Sequence, residues 1–298
     1  MSTLLPRLSD IGQSLAGCTL AFVGGQGKSG TTWVERLIDA HPQAACLGEG
    51  HFAEGLGRLL YRALDEYNQL LAGNNRRFPE LEDFPGIDAA DAAELVRAAL
   101  LLQFAAIARR KPGIGAGTVA VRTPSELNWL AQLHQAFPKA RFIHVIRDPR
   151  DVAVSMWWHG ERLEPGRLAL AHGSPAGLAQ ALVPRWARHV ESVREAAGQS
   201  GAALHEIRYE DLQQQPEASA AALFGFLGLP AGPDVCAQCL EQASFSRLSG
   251  RRAGQPDPGS HFRQGTSGQW RDTMPAAPPQ GWPEPVRATL QSLAYPVG

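Results

Sequence analysis

Four short apolar runs recur along the chain, Thr19 to Val23, Thr118 to Val121, Arg141 to Ile146 and Ala203 to Ile207, each bounded by glycine, proline or charge. Continuous apolar runs of this length mark strands covered on both faces. Helix-length segments lie between them. The pattern predicts helices over Thr31 to Ala40, Phe52 to Leu71, Ala89 to Arg110, Glu126 to Phe137, Pro149 to Trp158, Gly177 to Gly198, Pro216 to Leu227 and Glu284 to Leu293. Strands alternating with helices give an α/β fold, here a central parallel sheet flanked by helices. The 298 residues, 44% of them hydrophobic, read as one domain over 1–298 with ample material for a core. The polar stretch AGNNRRFPELEDFPG, 72 to 86, reads as a loop. Gly250 to Gln280, rich in Gly, Pro, Ser and Arg, reads as a lid or a mobile segment within the domain.

The first run leads into AFVGGQGKSGTTWVERL, residues 21 to 37. A strand followed by glycines and a helix start aims backbone N–H groups and the helix dipole at an anion. Lys28 adds a point charge, and Ser29, Thr31 and Thr32 add hydroxyl donors. The nucleoside triphosphatase loop would need its first glycine at position 22, where Phe22 stands. The run FIHVI ends in Arg147 ahead of Asp148, a cation where a magnesium-holding carboxylate is wanted, so a metal-free site is implied. Pro149 suits a first helical position, and Ser155 follows two turns in. Arg147 at the strand tip can grip a second phosphate by bidentate bonding. Two separate grips suggest a nucleotide phosphorylated at both ends. The plainer alternatives are an ordinary strand-to-helix turn at GGQGKSGTT and a solvated ion-pair cluster of Arg147, Asp148, Arg150 and Asp151.

Net charge narrows the partners. The 28 basic and 29 acidic residues nearly cancel, which leaves no footprint for nucleic acid or an anionic membrane surface. No segment approaches the length of apolar residues needed to span a bilayer. LSDIGQSLAGC, ending at Cys18, has a lipobox-like end, but Asp10, Gln13 and Ser14 interrupt any apolar leader, so no signal peptide is expected. Cys18, Cys46, Cys236 and Cys239 are too scattered for a disulfide framework, and a cytoplasmic location fits. Cys236 and Cys239 form a CxxC without a second pair, and read as two ordinary thiols on a helix.

KSGTTW followed by RDPRDVAVS resembles the sulfotransferases, here of the bacterial kind, that use PAPS, 3′-phosphoadenosine-5′-phosphosulfate. A third element, HFRQGTSGQW at 261 to 270, is similar to the family segment that closes over the 3′-phosphate. The resemblance spans roughly residues 19 to 270 and implies a sulfotransferase fold with PAPS as cosubstrate, PAP as product and no metal. It implies that Lys28, Ser29, Gly30, Thr31 and Thr32 wrap the 5′-phosphosulfate, with Trp33 stacked near the adenine. Arg147 and Ser155 would take the 3′-phosphate, Tyr209 and Phe245 would flank the base, and Arg263, Gln264 and Gly265 would add to the 3′ grip. Gln264 replaces a lysine of the cytosolic enzymes.

Sulfuryl transfer needs an in-line acceptor, cations on the leaving phosphate and usually a base. Lys28 and Arg122 are the candidate cations. Where enzymes acting on phenols and steroids carry a basic histidine, this chain has Pro124. LIDAHPQAACLGEGHF instead resembles the tyrosylprotein sulfotransferases, which implies Glu49 as the base with His51 as its rival; Glu126, in the first turn after Ser125, where a carboxylate more simply serves the helix dipole, is a third choice. Glu49 follows an apolar stretch at a presumptive strand end, where desolvation would make a carboxylate a better base. The acceptor is expected to be a hydroxyl, or second to it an amine, on a small molecule, carbohydrate, lipid or peptide. Phe52 to Pro85 and Met156 to Pro184 are the segments expected to shape its pocket, with Trp157, Trp158, His159 and Trp186 as wall or core. A P-loop kinase using ATP and a non-catalytic nucleotide-binding protein of the same fold are the rival readings.

Overall fold

Five parallel strands form one sheet in the order β2-β3-β1-β4-β5 in a computed structural model, which describes residues 11, 13, 15–255, 257, 259, 260 and 263–297. They are β1 (Thr19–Gly24), β2 (Ala44–Gly48), β3 (Thr118–Arg122), β4 (Arg141–Ile146) and β5 (Ala203–Arg208). Register places Phe22 beside Val121 on one side and Phe142 on the other. β1 lies where chain order reverses, and ligands of such sheets bind outside the carboxyl ends of the strands at that point.

The strands are covered on both faces, as their unbroken apolar character requires. Ala21, Val23, Ile143 and Val145 pack with α1 (Thr31–Ala40) and with the buried Leu223, Phe224, Cys236 and Cys239. The alternate residues Phe22 and Phe142 face the opposite way, toward Phe104, Leu130 and Phe137. The Phe22 ring stacks on Phe142 at 5.5 Å and meets Phe104 edge-on at 5.5 Å. Phe22 therefore fills the core where a triphosphatase loop would have its first glycine.

The other helices are α2 (Arg58–Arg77), α3 (Ala89–Arg109), α4 (Leu130–Ala136), α5 (Pro149–Leu163), α6 (Arg167–His172), α7 (Pro175–Ser200), α8 (Tyr209–Gln214), α9 (Pro216–Leu227), α10 (Pro233–Gln242), α11 (Phe245–Ser249) and α12 (Glu284–Ser292). Several differ from expectation. The helix expected from Phe52 opens as a wide turn over Phe52–Gly57 and then runs on to Arg77, so the expected loop begins only at Phe78. Asn75 bonds Phe84 in both directions at 3.1 Å and folds that loop back on the helix. The helix expected from Glu126 is divided into a tight turn over Pro124–Trp129 and α4. Helices α6 and α8 were not expected, being too short for a periodic signal. Cys236 and Cys239 lie buried on α10, and all four cysteines are free thiols.

Trp157 and Trp186 are core, 9% and 1% exposed, whereas Trp158 is 42% exposed. The stretch 250–280 carries more packing than its composition suggests: Trp270 and Met274 join the core of α5 and α7, as does Trp282 just beyond it. His261 and Phe262 of the HFRQGTSGQW segment, and residues 8–10, 12 and 14 of the leader-like N-terminal stretch, lie outside the described residues. Among the described residues no helix is long and apolar enough to cross a membrane.

Candidate functional site

The loop after β1 is shaped by close backbone approach. Gly25, at φ 146, leaves no room for a Cβ, which would collide with the carbonyl oxygen of Val145 in β4. Lys28 adopts φ 73 and Gly30 φ 98, and α1 begins at Thr31 with no side-chain cap on its N-terminal N–H groups. Those donors face a cavity of about 260 Å³ lined by Lys28, Gly30, Thr31, Thr32 and Trp33 from this loop.

Arg147 leaves the end of β4 and reaches across. Its Nη1 donates to the Lys28 carbonyl at 3.3 Å and its Nη2 to the Thr266 carbonyl at 2.9 Å. The residues around it are buried rather than solvated. Arg150, fully buried, donates to both carboxylate oxygens of Asp148 at 2.8 and 2.7 Å and to the carbonyls of Ala276 and Pro296. Asp151 accepts the backbone N–H groups of Gly268 at 2.5 Å and Trp270 at 3.1 Å. The helix start after β4 therefore anchors the C-terminal segment over the cleft. Burial pushes the Asp151 carboxyl up and the neighbouring Arg147 pulls it back.

Tyr209, at the start of α8, lies with its ring under Arg147 and meets Trp33 edge-on at 5.4 Å. Gln213 donates to the Gly265 carbonyl at 2.7 Å, which draws the C-terminal segment down beside Tyr209. Gly265, at φ 67, packs on Phe245 too closely for any Cβ. Arg263 is aligned by Gln264 Oε1 at 3.1 Å and by a hydrogen bond to Gln269 Oε1. Gln264 thus orients a neighbouring cation.

Another wall of the cavity comes from the ends of β2 and β3. Arg122, 6% exposed, donates Nε and Nη2 to Glu35 Oε2 at 2.8 and 2.5 Å, and Nη1 to Glu49 Oε1. Glu49 stands just past β2, as expected, but the expected desolvation is absent, since its side chain is 53% exposed. His51 does not line the cavity. Its Nδ1 bonds Glu54 Oε1 at 2.7 Å and its Nε2 lies 3.5 Å from Glu49 Oε2. Glu126 is fully buried beneath this wall and accepts the Ala53 N–H at 3.1 Å, instead of serving a helix terminus in solvent. Burial, with Glu54 nearby, pushes its carboxyl up to about 7.

Lys28 is the cation most altered by the site: burial, then Arg162 and Arg147, lower its ammonium to about 8. His159, one turn beyond Ser155 on α5, also lines the cavity, and its Nδ1 accepts from Arg162 at 3.0 Å. Since guanidinium only donates, the neutral ring carries its proton on Nε2. Of the residues singled out from the sequence, Glu49, Arg122, Arg147, Ser155, Tyr209, Phe245, Arg263, Gln264 and Gly265 join the phosphate-loop residues around one cavity. Ser29 is buried behind it and is not part of the lining. Leu248 and Gln269 line it unforeseen, and Gln269 lay inside the quoted C-terminal motif. Glu35 was missed outright. Among the described residues no group of three or more His, Cys, Asp or Glu side chains is placed to hold a metal ion.

A family model described as "Sulfotransferase family" matches residues 21–233. Protein-tyrosine sulfotransferase 1 of Danio rerio is 26% identical over 211 residues, 71% of this chain and 53% of that protein. A putative protein-tyrosine sulfotransferase of Caenorhabditis briggsae is 26% identical over 210 residues, 70% of this chain and 65% of that protein. The chain thus spans between half and two thirds of these relatives. Among solved structures, the sulfotransferase domain from the curacin biosynthetic pathway superposes with a TM-score of 0.52 at 15% identity, covering 94% of this chain and 99% of that one.

Proposed function

The chain belongs to the sulfotransferase family, and we propose that its cleft transfers the sulfuryl group of PAPS to an acceptor hydroxyl, or to an amine, and releases PAP. One observation carries the nucleotide assignment: Trp33 Nε1 and Arg147 Nε, both on cavity-lining residues, and Ser29 Oγ behind them are buried with no protein partner. Buried donors are normally satisfied, so unpaired donors at two phosphate grips fit a ligand with an anion at each end.

Lys28, Ser29, Gly30, Thr31 and Thr32 hold the 5′-phosphosulfate through the uncapped start of α1. Arg147, Ser155, Arg263, Gln264 and Gly265 hold the 3′-phosphate, while Trp33, Tyr209 and Phe245 provide the surface for the adenine. PAPS supplies an activated sulfuryl group, whose bond to the 5′-phosphate oxygen breaks as the acceptor oxygen bonds to sulfur. Lys28 offsets the charge that gathers on the leaving phosphate, and Arg122 stands on the acceptor side. Glu49 takes the acceptor proton through Oε2, because Oε1 is held by Arg122. The reading requires no metal: Arg147 occupies the strand tip, and Asp148 is fully engaged by Arg150. Residues 250–280 act as the lid of a domain that covers 1–298. Four free thiols suit the cytoplasm.

The names of the relatives point to a tyrosine phenol as one acceptor to try, beside small phenols, sugars and lipids. Calorimetry with PAP in the presence and absence of a chelator, followed by transfer from labelled PAPS to those acceptors, tests the proposal. Failure to bind PAP or PAPS, or a strict requirement for ATP and magnesium, would overturn it. Glu49→Gln should abolish turnover while PAP still binds.

A further inference from the structure

A single buried guanidinium joins two carboxylates of different standing. Glu35 sits in the middle of α1 and is 2% exposed, and its Oε2 takes both Nε and Nη2 of Arg122. Nη1 of the same group holds Glu49 at the cleft. The chain leaves space for this bridge at Gly48, the last residue of β2. A Cβ there would lie 2.6 Å from Arg122 Cζ and closer still to Nη2 and to Glu35 Oε2. A side chain as small as alanine would displace the pair.

A carboxylate buried in a helix beside the phosphate loop is costly unless it is paired, and leaving it uncompensated costs more than the pair returns. The geometry accounts for its presence in another way. Arg122 carries one positive charge and serves two negative groups, so it neutralises Glu49 only in part. Its fork is fixed in plane by two bonds to Glu35, which leaves Nη1 with a single direction, toward Glu49.

We propose that Glu35 is a positioning residue for sulfuryl transfer: it orients Arg122 so that Nη1 holds Glu49 in place to accept the proton. This rests on Glu49 as the base. The charged groups that face Glu49 are Arg122 from β3, His51 at 3.5 Å on its own loop, with Glu54 behind it at 2.7 Å, and Lys28 across the cleft. Arg36 stands 3.9 Å from the other oxygen of Glu35.

Glu35→Gln keeps the shape of the bridge and removes its charge. A neutral amide holds the guanidinium less firmly than a carboxylate does, so kcat should fall about three-fold with KM for PAPS unchanged. PAP affinity by calorimetry should be unchanged. An unaltered kcat in a variant that binds PAP normally would overturn the proposal. Gly48→Ala tests it from the backbone, should Glu35→Gln not fold: kcat should drop ten-fold or more with KM for PAPS unchanged, and an unaltered kcat would refute the bridge. Glu49→Gln separates the two levels. If that variant turns over normally, the base assignment fails; if it is inactive while Glu35→Gln leaves kcat unchanged, the role of Glu35 alone fails.

Discussion

The guanidinium carbon of Arg147 lies 4.3 Å from the centroid of the Tyr209 ring. The stacking sets the plane of the guanidinium, the carbonyls of Lys28 and Thr266 set its rotation, and Nε is left unpaired. A lysine reproduces none of these constraints. Arg147→Lys should raise the Kd for PAP by roughly ten- to hundred-fold, with a smaller effect on kcat at saturating PAPS. Calorimetry reads the first and steady-state kinetics the second; an unchanged Kd would remove Arg147 from the phosphate grip.

Lys28 should impose an alkaline limit on nucleotide binding. Its ammonium is lowered to about 8, chiefly by burial, so the free protein holds this charge below that pH and loses it above. PAP affinity should therefore decline as pH climbs through about 8, and Lys28→Met should bind more weakly at neutral pH without that decline. A parallel pH dependence in both proteins would place the limit elsewhere.

Glu126 should set a pH dependence of stability. Its folded carboxyl is raised to about 7, against an ordinary 4.5, so between these values the folded protein holds a proton that the unfolded chain releases. The contribution is complete below 4.5 and is lost as pH rises through 7. Tm should fall over that window, and Glu126→Gln should flatten the curve and gain on the order of 1–3 kcal/mol at pH 8. Equal slopes for variant and parent would contradict this.

Asp151→Ala should loosen the C-terminal segment without emptying the core. It leaves the Gly268 and Trp270 N–H groups unpaired, at a cost of about 1–3 kcal/mol. Trypsin should cut faster after Arg263 or Arg271, and PAP should slow the cutting. Identical digestion of variant and parent would argue against Asp151 as the anchor.

The residues that a short stretch can define were legible in the sequence. β1 with the glycine loop after it and β4 with Arg147 at its end each lie within a few consecutive positions, and the fold brings them to one cavity. The sheet order was not legible, because it depends on which strands meet. Glu35 was hidden for the same reason: on α1 it looks like one of the charges that face solvent, and its partner Arg122 is 87 residues away. Burial of the Arg147 to Asp151 cluster was equally invisible, since the carbonyls of Ala276 and Pro296 that Arg150 binds come from the far end of the fold. His159, expected as wall or core, lines the cavity one helical turn beyond Ser155.

Arg147 is 119 residues from the carbonyl it binds at Lys28, and Asp151 is 119 residues from the N–H of Trp270. The grip is thus divided among pieces that leave the ribosome far apart in time. A growing chain that has released the first loop has no second grip, and one that has released both still lacks the closing segment. The cleft is complete only once translation has passed Trp270, so an unfinished chain presents the loop after β1 without the segment that closes over it.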